Sequence, residues 1–196
     1  MLMYAMSTLE KVLPKAILLD RDGVINFDSP NYILSPEQWK PIPGSLEAIA
    51  KLTQANIAVA IVSNQSAVGR GMIDSEIFQN IHAKMLLSIE ALGGRIDHVA
   101  YCPHAPDDGC ACRKPLPGMI VESLEVLNLS DQPQSVYMIG DSLRDMQAAW
   151  AVQVEGILVQ SGYGDAADIL ARARLHNPDT QSFPDLAAAI RSILEG

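Results

Sequence analysis

The chain has few basic residues, few cysteines and no long hydrophobic run. Its 14 Lys and Arg stand against 23 Asp and Glu, which gives a formal charge of −9. This balance argues against a general nucleic-acid or anionic-membrane binder, because such proteins carry a basic face. No stretch approaches the ~20 apolar residues of a membrane span. The three cysteines, an odd number, exclude a fully paired set of intramolecular disulfides.

What is present is typical of a globular cytoplasmic protein. The first residues, MLMYAMSTLEKVLPK, lack the basic start and long apolar run of a signal peptide, so we expect a cytoplasmic location. The 196 residues, 48% of them hydrophobic, are enough for a single domain over 1–196 with a substantial core. Nothing in the pattern demands more than a monomer.

Short apolar segments alternate with helical patterns along the chain. Strands are predicted at 16–19, 57–62, around 99, at 136–139 and at 156–159, and helices begin near 45, 75, 118, 142 and 184. This alternation predicts an α/β, Rossmann-like fold in which helices cover both faces of a parallel sheet. Two loops interrupt it, at 23–43 and 102–117, and long loops in compact domains are usually functional.

Polar side chains follow four of the predicted strands at the point where each strand or its loop ends. The segments are Asp20-Arg21-Asp22-Gly23, Ser63-Asn64-Gln65, Arg113-Lys114-Pro115 and Gly140-Asp141-Ser142. In open α/β sheets, ligands bind outside the carboxyl ends of the strands. Converging carboxylates repel one another without a cation, and oxygen ligands suit Mg²⁺. With a lysine and a hydroxyl beside them, these carboxylates predict a phosphoryl-transfer site.

The same segments resemble the four motifs of the haloacid dehalogenase superfamily of phosphatases. In chain order they are Asp20-Arg21-Asp22-Gly23-Val24-Ile25, Ser63, Lys114 and Gly140-Asp141, and the resemblance covers about residues 15–160. Five segments are similar to the D-glycero-D-manno-heptose 1,7-bisphosphate 7-phosphatase family: Leu19 to Asn26, Ser63-Asn64-Gln65-Ser66 with Gly69-Arg70-Gly71, Cys102-Pro103-His104, Cys110-Ala111-Cys112-Arg113-Lys114-Pro115, and Gly140 to Ala149. The resemblance implies a haloacid dehalogenase fold with a minimal cap. That cap consists of a flap at about 23–43 and a zinc loop at 102–112.

The resemblance also implies the catalytic roles. Asp20 would attack phosphorus to form an aspartyl-phosphate, and Asp22 would protonate the leaving sugar oxygen and then activate water. The other implied roles are Mg²⁺ binding by Asp20, Asp141 and the backbone carbonyl of Asp22, phosphoryl binding by Ser63 and Lys114, and substrate binding by Asn64, Gln65, Arg70 and Arg113. Arg70 and Arg113 are the candidates for a second phosphate.

A second metal site is predicted from the cysteines. Cys102, His104, Cys110 and Cys112 supply three thiolates and one imidazole within eleven residues. Four such ligands suit tetrahedral Zn²⁺, and a fully occupied protein ligand set indicates a structural ion. We expect this zinc to hold the loop that presents Arg113 and Lys114.

Only the resemblance names a substrate, the 7-phosphate of the heptose bisphosphate, in the biosynthesis of the activated heptose of lipopolysaccharide. The alternatives are a histidinol-phosphate phosphatase and, outside enzymes, a receiver-like domain phosphorylated on Asp20. Asp145 stays open between a place near Mg²⁺ and a contact with Lys114. Arg21 and Arg144 are predicted at the surface, and residues 165–196 carry no chemistry that we recognise.

Overall fold

The structure, a computed structural model, describes residues 12–196. Most of the segment assessed as a signal peptide, residues 1–11, lies outside the described residues. In the described part, no helix has both the length and the apolar character needed to cross a bilayer.

A parallel sheet with the strand order β3-β2-β1-β4-β5-β6 forms the centre of the described structure. The strands are β1 Ala16–Leu19, β2 Ala58–Asn64, β3 His98–Cys102, β4 Val136–Gly140, β5 Glu155–Val159 and β6 Gln181–Phe183. The helices are α1 Ser45–Gln54, α2 Ser66–Gly69, α3 Ser75–Ala91, α4 Gly118–Val126, α5 Leu143–Trp150, α6 Ala166–His176 and α7 Leu186–Glu195, with a 3₁₀ turn at Pro133–Ser135. The predicted three-layer α/β fold is confirmed, whereas α2, α6 and β6 were not predicted.

Alternate residues of each central strand enter two separate cores. Ile17 and Leu19 of β1 face the layer built by α1, α3 and α7. Ala16 and Leu18 face the opposite layer, which α4 and α5 provide. Because both faces of the sheet are covered, the four residues of β1 are all fully buried and apolar, as expected for a central parallel strand.

β1 lies between β2 and β4, with Leu19 paired to Ile61 on one side and Ile139 on the other. The residues that follow these three strands therefore meet at one edge of the sheet. The flap, residues 23–43, contains turns and isolated bridges rather than an inserted domain. Loops, and not an inserted domain, thus cover the centre of this edge.

Candidate active site

A cavity of about 320 Å³ lies at the carboxyl edge of the sheet. Eight residues with a predicted catalytic, magnesium-binding or substrate-binding role line it, together with Arg21. The eight are Asp20, Asp22, Ser63, Asn64, Gln65, Arg113, Lys114 and Asp141. Arg70 is exposed at the end of α2 and is not among the described residues that line the cavity. All of the predicted catalytic, magnesium-binding and substrate-binding residues except Arg70 therefore line this cavity.

Lys114 lies at the centre of the site and is 1% exposed. Its Nζ is 2.9 Å from Asp20 Oδ2 and 2.6 Å from Asp145 Oδ1, and it donates to the carbonyl of Val62 at 2.8 Å. Burial alone would lower the pKa of Lys114, but Asp145 and Asp20 raise it above its usual value. Lys114 is therefore a fixed cation beside Asp20.

Of the two places left open for Asp145, the contact with Lys114 is present in the structure. One carboxylate oxygen meets Lys114, and the other accepts hydrogen bonds from the backbone N–H of Ser142 at 3.0 Å and from its hydroxyl at 2.6 Å. Burial opposes ionisation, yet Lys114 and Ser142 hold the pKa of Asp145 below its usual value. Asp145 holds Lys114 in place and caps α5.

Asp20 and Asp141 form the acidic part of the site. One oxygen of each, together with one of Asp145, lies within 4.8 Å of the others. Burial raises the pKa of Asp20 to about 6 despite Lys114, and burial with the charges of Asp145 and Asp20 raises that of Asp141 to about 8. The single positive charge of Lys114 does not neutralise the carboxylates of Asp20, Asp141 and Asp145. The donor set fits Mg²⁺, whose opposite ligands stand roughly 4 Å apart.

Two glycines pack against Asp141. A Cβ atom on Gly162 would stand 1.9 Å from Asp141 Oδ2, and one on Gly23 would stand 2.5 Å from the same atom. The Ser161 hydroxyl donates to the Gly23 carbonyl at 2.6 Å, which ties the loop after β5 to the loop after β1. Sequence reasoning missed Ser161 and Gly162, although their place just after the predicted strand at 156–159 is a signal that could have found them.

The carboxylate of Asp22 faces a set of donors instead of a metal. It accepts from Arg21 Nε at 3.0 Å and Nη2 at 2.8 Å, from Asn26 at 2.8 Å and from Gln65 at 2.8 Å. Burial alone would raise the pKa of Asp22, but Arg21, Asn26 and Gln65 together hold it below its usual value. The surface position predicted for Arg21 is wrong: the residue is 3% exposed, because its guanidinium pairs with the neighbouring Asp22 inside the site.

The flap is anchored behind Asp22. Asn26, fully buried, donates to Asp22 and accepts from the indole Nε1 of Trp39 at 2.9 Å. Trp39 is 1% exposed and belongs to the hydrophobic core. A chain of hydrogen bonds therefore connects the core of the flap to the candidate acid–base group.

The side chains after β2 are also engaged. The Asn64 amide donates to the Lys114 carbonyl and accepts from the Lys114 backbone N–H, both at 3.1 Å. Gln65 donates to the buried Ser63 hydroxyl at 2.9 Å. Asn64 therefore fixes the backbone of Lys114, while Ser63 Oγ faces the cavity with Gln65 as its partner.

The four predicted zinc ligands form one cluster. Cys102 Sγ is 3.6 Å from Cys110 Sγ and 3.5 Å from His104 Nδ1, and His104 Nδ1 is 3.3 Å from Cys112 Sγ. With Zn–S about 2.3 Å and Zn–N about 2.0–2.1 Å, tetrahedral ligands stand roughly 3.6–3.8 Å apart. The separations fit that ion closely, and the three cysteines form no disulfide.

Known proteins resemble this chain along nearly its whole length. A HAD-hydrolase-like family model matches residues 111–189. Two relatives, both named D-glycero-beta-D-manno-heptose-1,7-bisphosphate 7-phosphatase, come from Pseudomonas putida and Bordetella bronchiseptica. The first is 41% identical, covering 92% of this chain and 99% of the relative. The second is 45% identical, covering 92% and 98%. The chain belongs to this phosphatase family.

A solved structure of a family member matches the fold. The D,D-heptose 1,7-bisphosphate phosphatase from B. bronchiseptica, complexed with magnesium and phosphate, superposes with a TM-score of 0.85 and 44% identity, covering 92% of this chain and 98% of that one. The family resemblance seen in the motifs is thereby confirmed.

Proposed function

We propose that this phosphatase removes the 7-phosphate of D-glycero-D-manno-heptose 1,7-bisphosphate, in the cytoplasm, through an aspartyl-phosphate on Asp20. The observation that carries the proposal is the buried contact of Lys114 with Asp20 at 2.9 Å, beside Asp141. The heptose comes from the names of the relatives.

Asp20 supplies the nucleophilic oxygen. Its Oδ1 accepts from the backbone N–H of Arg21 at 2.7 Å and Oδ2 faces Lys114, so the carboxylate is held in one orientation. When bound by Asp20, Asp141 and the backbone carbonyl of Asp22, Mg²⁺ supplies positive charge against the carboxylates and the phosphoryl oxygens. Lys114 and the Ser63 hydroxyl are further fixed donors for the phosphoryl oxygens.

Asp22 moves the proton. Its hydrogen bonds to Arg21, Asn26 and Gln65 favour the carboxylate, the form that takes a proton from the water hydrolysing the aspartyl-phosphate. To protonate the leaving oxygen first, Asp22 must hold a proton, which requires the substrate to displace some of these donors. Transfer of that proton to the sugar oxygen leaves the carboxylate, and the proton later taken from water restores the acid for the next turnover.

Arg113 is our candidate for the second phosphate. It lines the catalytic cavity and also a neighbouring cavity of about 340 Å³, which Arg144 shares. Its Nη1 donates to the carbonyl of His104 at 3.1 Å, so the zinc loop sets its position. The proposed Zn²⁺ is thus a structural ion that stiffens the support of Arg113.

The decisive experiment is phosphate release with Mg²⁺ from the heptose bisphosphate and from histidinol phosphate, with the remaining phosphate located by ³¹P NMR. We expect many turnovers, loss of the 7-phosphate, and a higher kcat/KM for the heptose. A higher kcat/KM for histidinol phosphate would favour the alternative enzyme. A single, long-lived phosphorylation of Asp20 would favour a signalling domain.

A further inference from the structure

A lysine of helix α3 ties down the flap from behind. Lys84 Nζ donates to the backbone carbonyl of Pro36 at 2.6 Å and to that of Trp39 at 3.2 Å. Lys84 is half-buried, and its Nζ lies 6.0 Å from the centre of the Trp39 ring. Among the described residues, Lys84 is the one outside the flap that forms hydrogen bonds with residues 30–40. It is therefore the polar attachment of this half of the flap.

The partners of Lys84 are carbonyl groups of a turn in the flap. The backbone N–H of Trp39 donates to the carbonyl of Pro36 at 3.2 Å, which closes this turn. Hydrogen bonds from an ammonium group to such carbonyls are stronger than those between neutral groups. In the described part of the chain, Lys84 forms no ion pair with a carboxylate. Its donors are therefore used to hold the flap backbone.

Two residues connect this attachment to the candidate acid–base group. The Trp39 indole N–H donates to Asn26 at 2.9 Å, and Asn26 donates to Asp22 Oδ1 at 2.8 Å. Lys84, Trp39 and Asn26 do not line the catalytic cavity, so they are not placed to contact the substrate. Lys84 fixes Trp39 at its backbone, and Asn26 fixes it at its ring. The orientation of one Asp22 oxygen thus depends on a helix outside the site.

We propose that Lys84 is a positioning residue for the reaction, which acts through Trp39 and Asn26 to hold Asp22 where it gives its proton to the leaving oxygen. The inference rests on the proposed phosphatase function. It concerns the departure of the leaving group and not the recognition of a sugar. A poor leaving group needs the proton of Asp22, whereas a good leaving group departs with little help.

The test compares phenyl phosphate with 4-nitrophenyl phosphate, which has the better leaving group. Lys84→Met keeps an unbranched apolar chain beside Trp39 and removes the donors, whereas Lys84→Arg keeps charged donors. We expect kcat/KM of Lys84→Met to fall about tenfold on phenyl phosphate and less than about threefold on 4-nitrophenyl phosphate. Lys84→Arg should recover most of the activity on phenyl phosphate. Lys40→Met changes an exposed lysine of the flap and should keep the wild-type ratio.

A second measurement needs no substrate. Indole ¹⁵N NMR follows hydrogen exchange at Trp39 Nε1–H, and Trp39→Phe identifies its signal among those of the two tryptophans. Because hydrogen bonds to a charged donor are lost, we expect exchange to be about tenfold faster in Lys84→Met than in the wild type. Exchange in Lys84→Arg and in Lys40→Met should stay close to that of the wild type.

Equal losses of kcat/KM on the two esters in Lys84→Met would overturn the proposal, because Lys84 would then support the flap and not Asp22. Unchanged exchange at Trp39 would overturn it as well, since the connection through the indole would be absent. A wild type that hydrolyses no phosphate ester would overturn the proposed function, and the role of Lys84 with it. The heptose assignment alone can fail without affecting this test, since neither ester carries a sugar.

Discussion

Asn64 and Lys114 are joined by two reciprocal hydrogen bonds of 3.1 Å between the carboxamide of one and the backbone of the other. The pair bridges β2 and the segment after the zinc loop, fifty positions apart in sequence. It places the Lys114 side chain where its three N–H groups meet Asp20, Asp145 and Val62.

Replacing Asn64 with Ala should loosen Lys114 without touching its side chain. Each hydrogen bond contributes about 0.5–1.5 kcal/mol, so we expect the free energy of unfolding to fall by about 1–3 kcal/mol. Because Lys114 then no longer fixes Asp20, kcat should fall roughly tenfold or more. Denaturant unfolding and steady-state kinetics measure both effects, with Gln54→Ala on the exposed face of α1 as control. An unchanged kcat would show that the pair matters for stability only.

Trp39→Phe removes the indole N–H that holds Asn26. A buried Asn26 oxygen without a partner costs about 1–3 kcal/mol of stability. Since the hydrogen bond from Asn26 lowers the pKa of Asp22, a less ordered Asn26 should let that pKa rise. The basic limb of the kcat/KM profile, along which Asp22 loses the proton that it gives to the leaving oxygen, should then move to higher pH. A variant that is less stable but keeps its pH profile would limit Trp39 to packing.

Gly162→Ala should act on the metal site. The added Cβ would overlap Asp141 Oδ2, so Asp141 has to move. We expect the Mg²⁺ concentration for half-maximal activity to rise tenfold or more, with zinc content unchanged. Gly164→Ala is the matched change in the same loop, where the new atom meets only the flexible tip of Ile169. Equal Mg²⁺ requirements in the two variants would contradict this account of Gly162.

The raised pKa values of Asp20 and Asp141, about 6 and about 8, give the Mg²⁺-free protein a pH-dependent stability. The ordinary value is 3.8 for both, so their contribution to stability is fully present below about pH 4 and is lost as the pH rises through 6 and 8. Added Mg²⁺ should therefore raise Tm more at pH 8.5 than at pH 5.5. Mg²⁺ is removed by gel filtration, since a chelator would also strip zinc. Asp141→Asn should flatten the difference; an Mg²⁺ effect equal at both pH values would contradict the assignment.

Cys112→Ser should remove a zinc ligand while leaving the catalytic carboxylates in place. We expect about one equivalent of zinc in wild type by atomic emission and its loss in the variant. Since the zinc loop supports Arg113, KM should rise more than kcat falls. Full stability and unchanged KM in zinc-free protein would contradict a structural role.

Much of the site could be predicted from strand ends, because Asp20, Ser63 and Asp141 come directly after or at the end of neighbouring parallel strands. Other features depended on distant partners that a sequence pattern does not reveal. Arg21 was assigned to the surface because its burial depends on the ion pair with Asp22, which the sequence does not show. The need for glycine at 162 depends on Asp141, which lies twenty-one positions earlier in the chain. β6 was missed because Gln-Ser-Phe has too few apolar residues to predict a strand.

The central place of β1 has a consequence during synthesis. Its second neighbour, β4, begins at Val136, so a growing chain holds the fully apolar Ala16–Leu19 with one open edge until that strand is made. At a synthesis rate of about 5–20 residues per second, the interval between the end of β1 and the start of β4 lasts roughly 6–23 s. During that time the segment that will carry the nucleophile is available to other nascent chains and to chaperones.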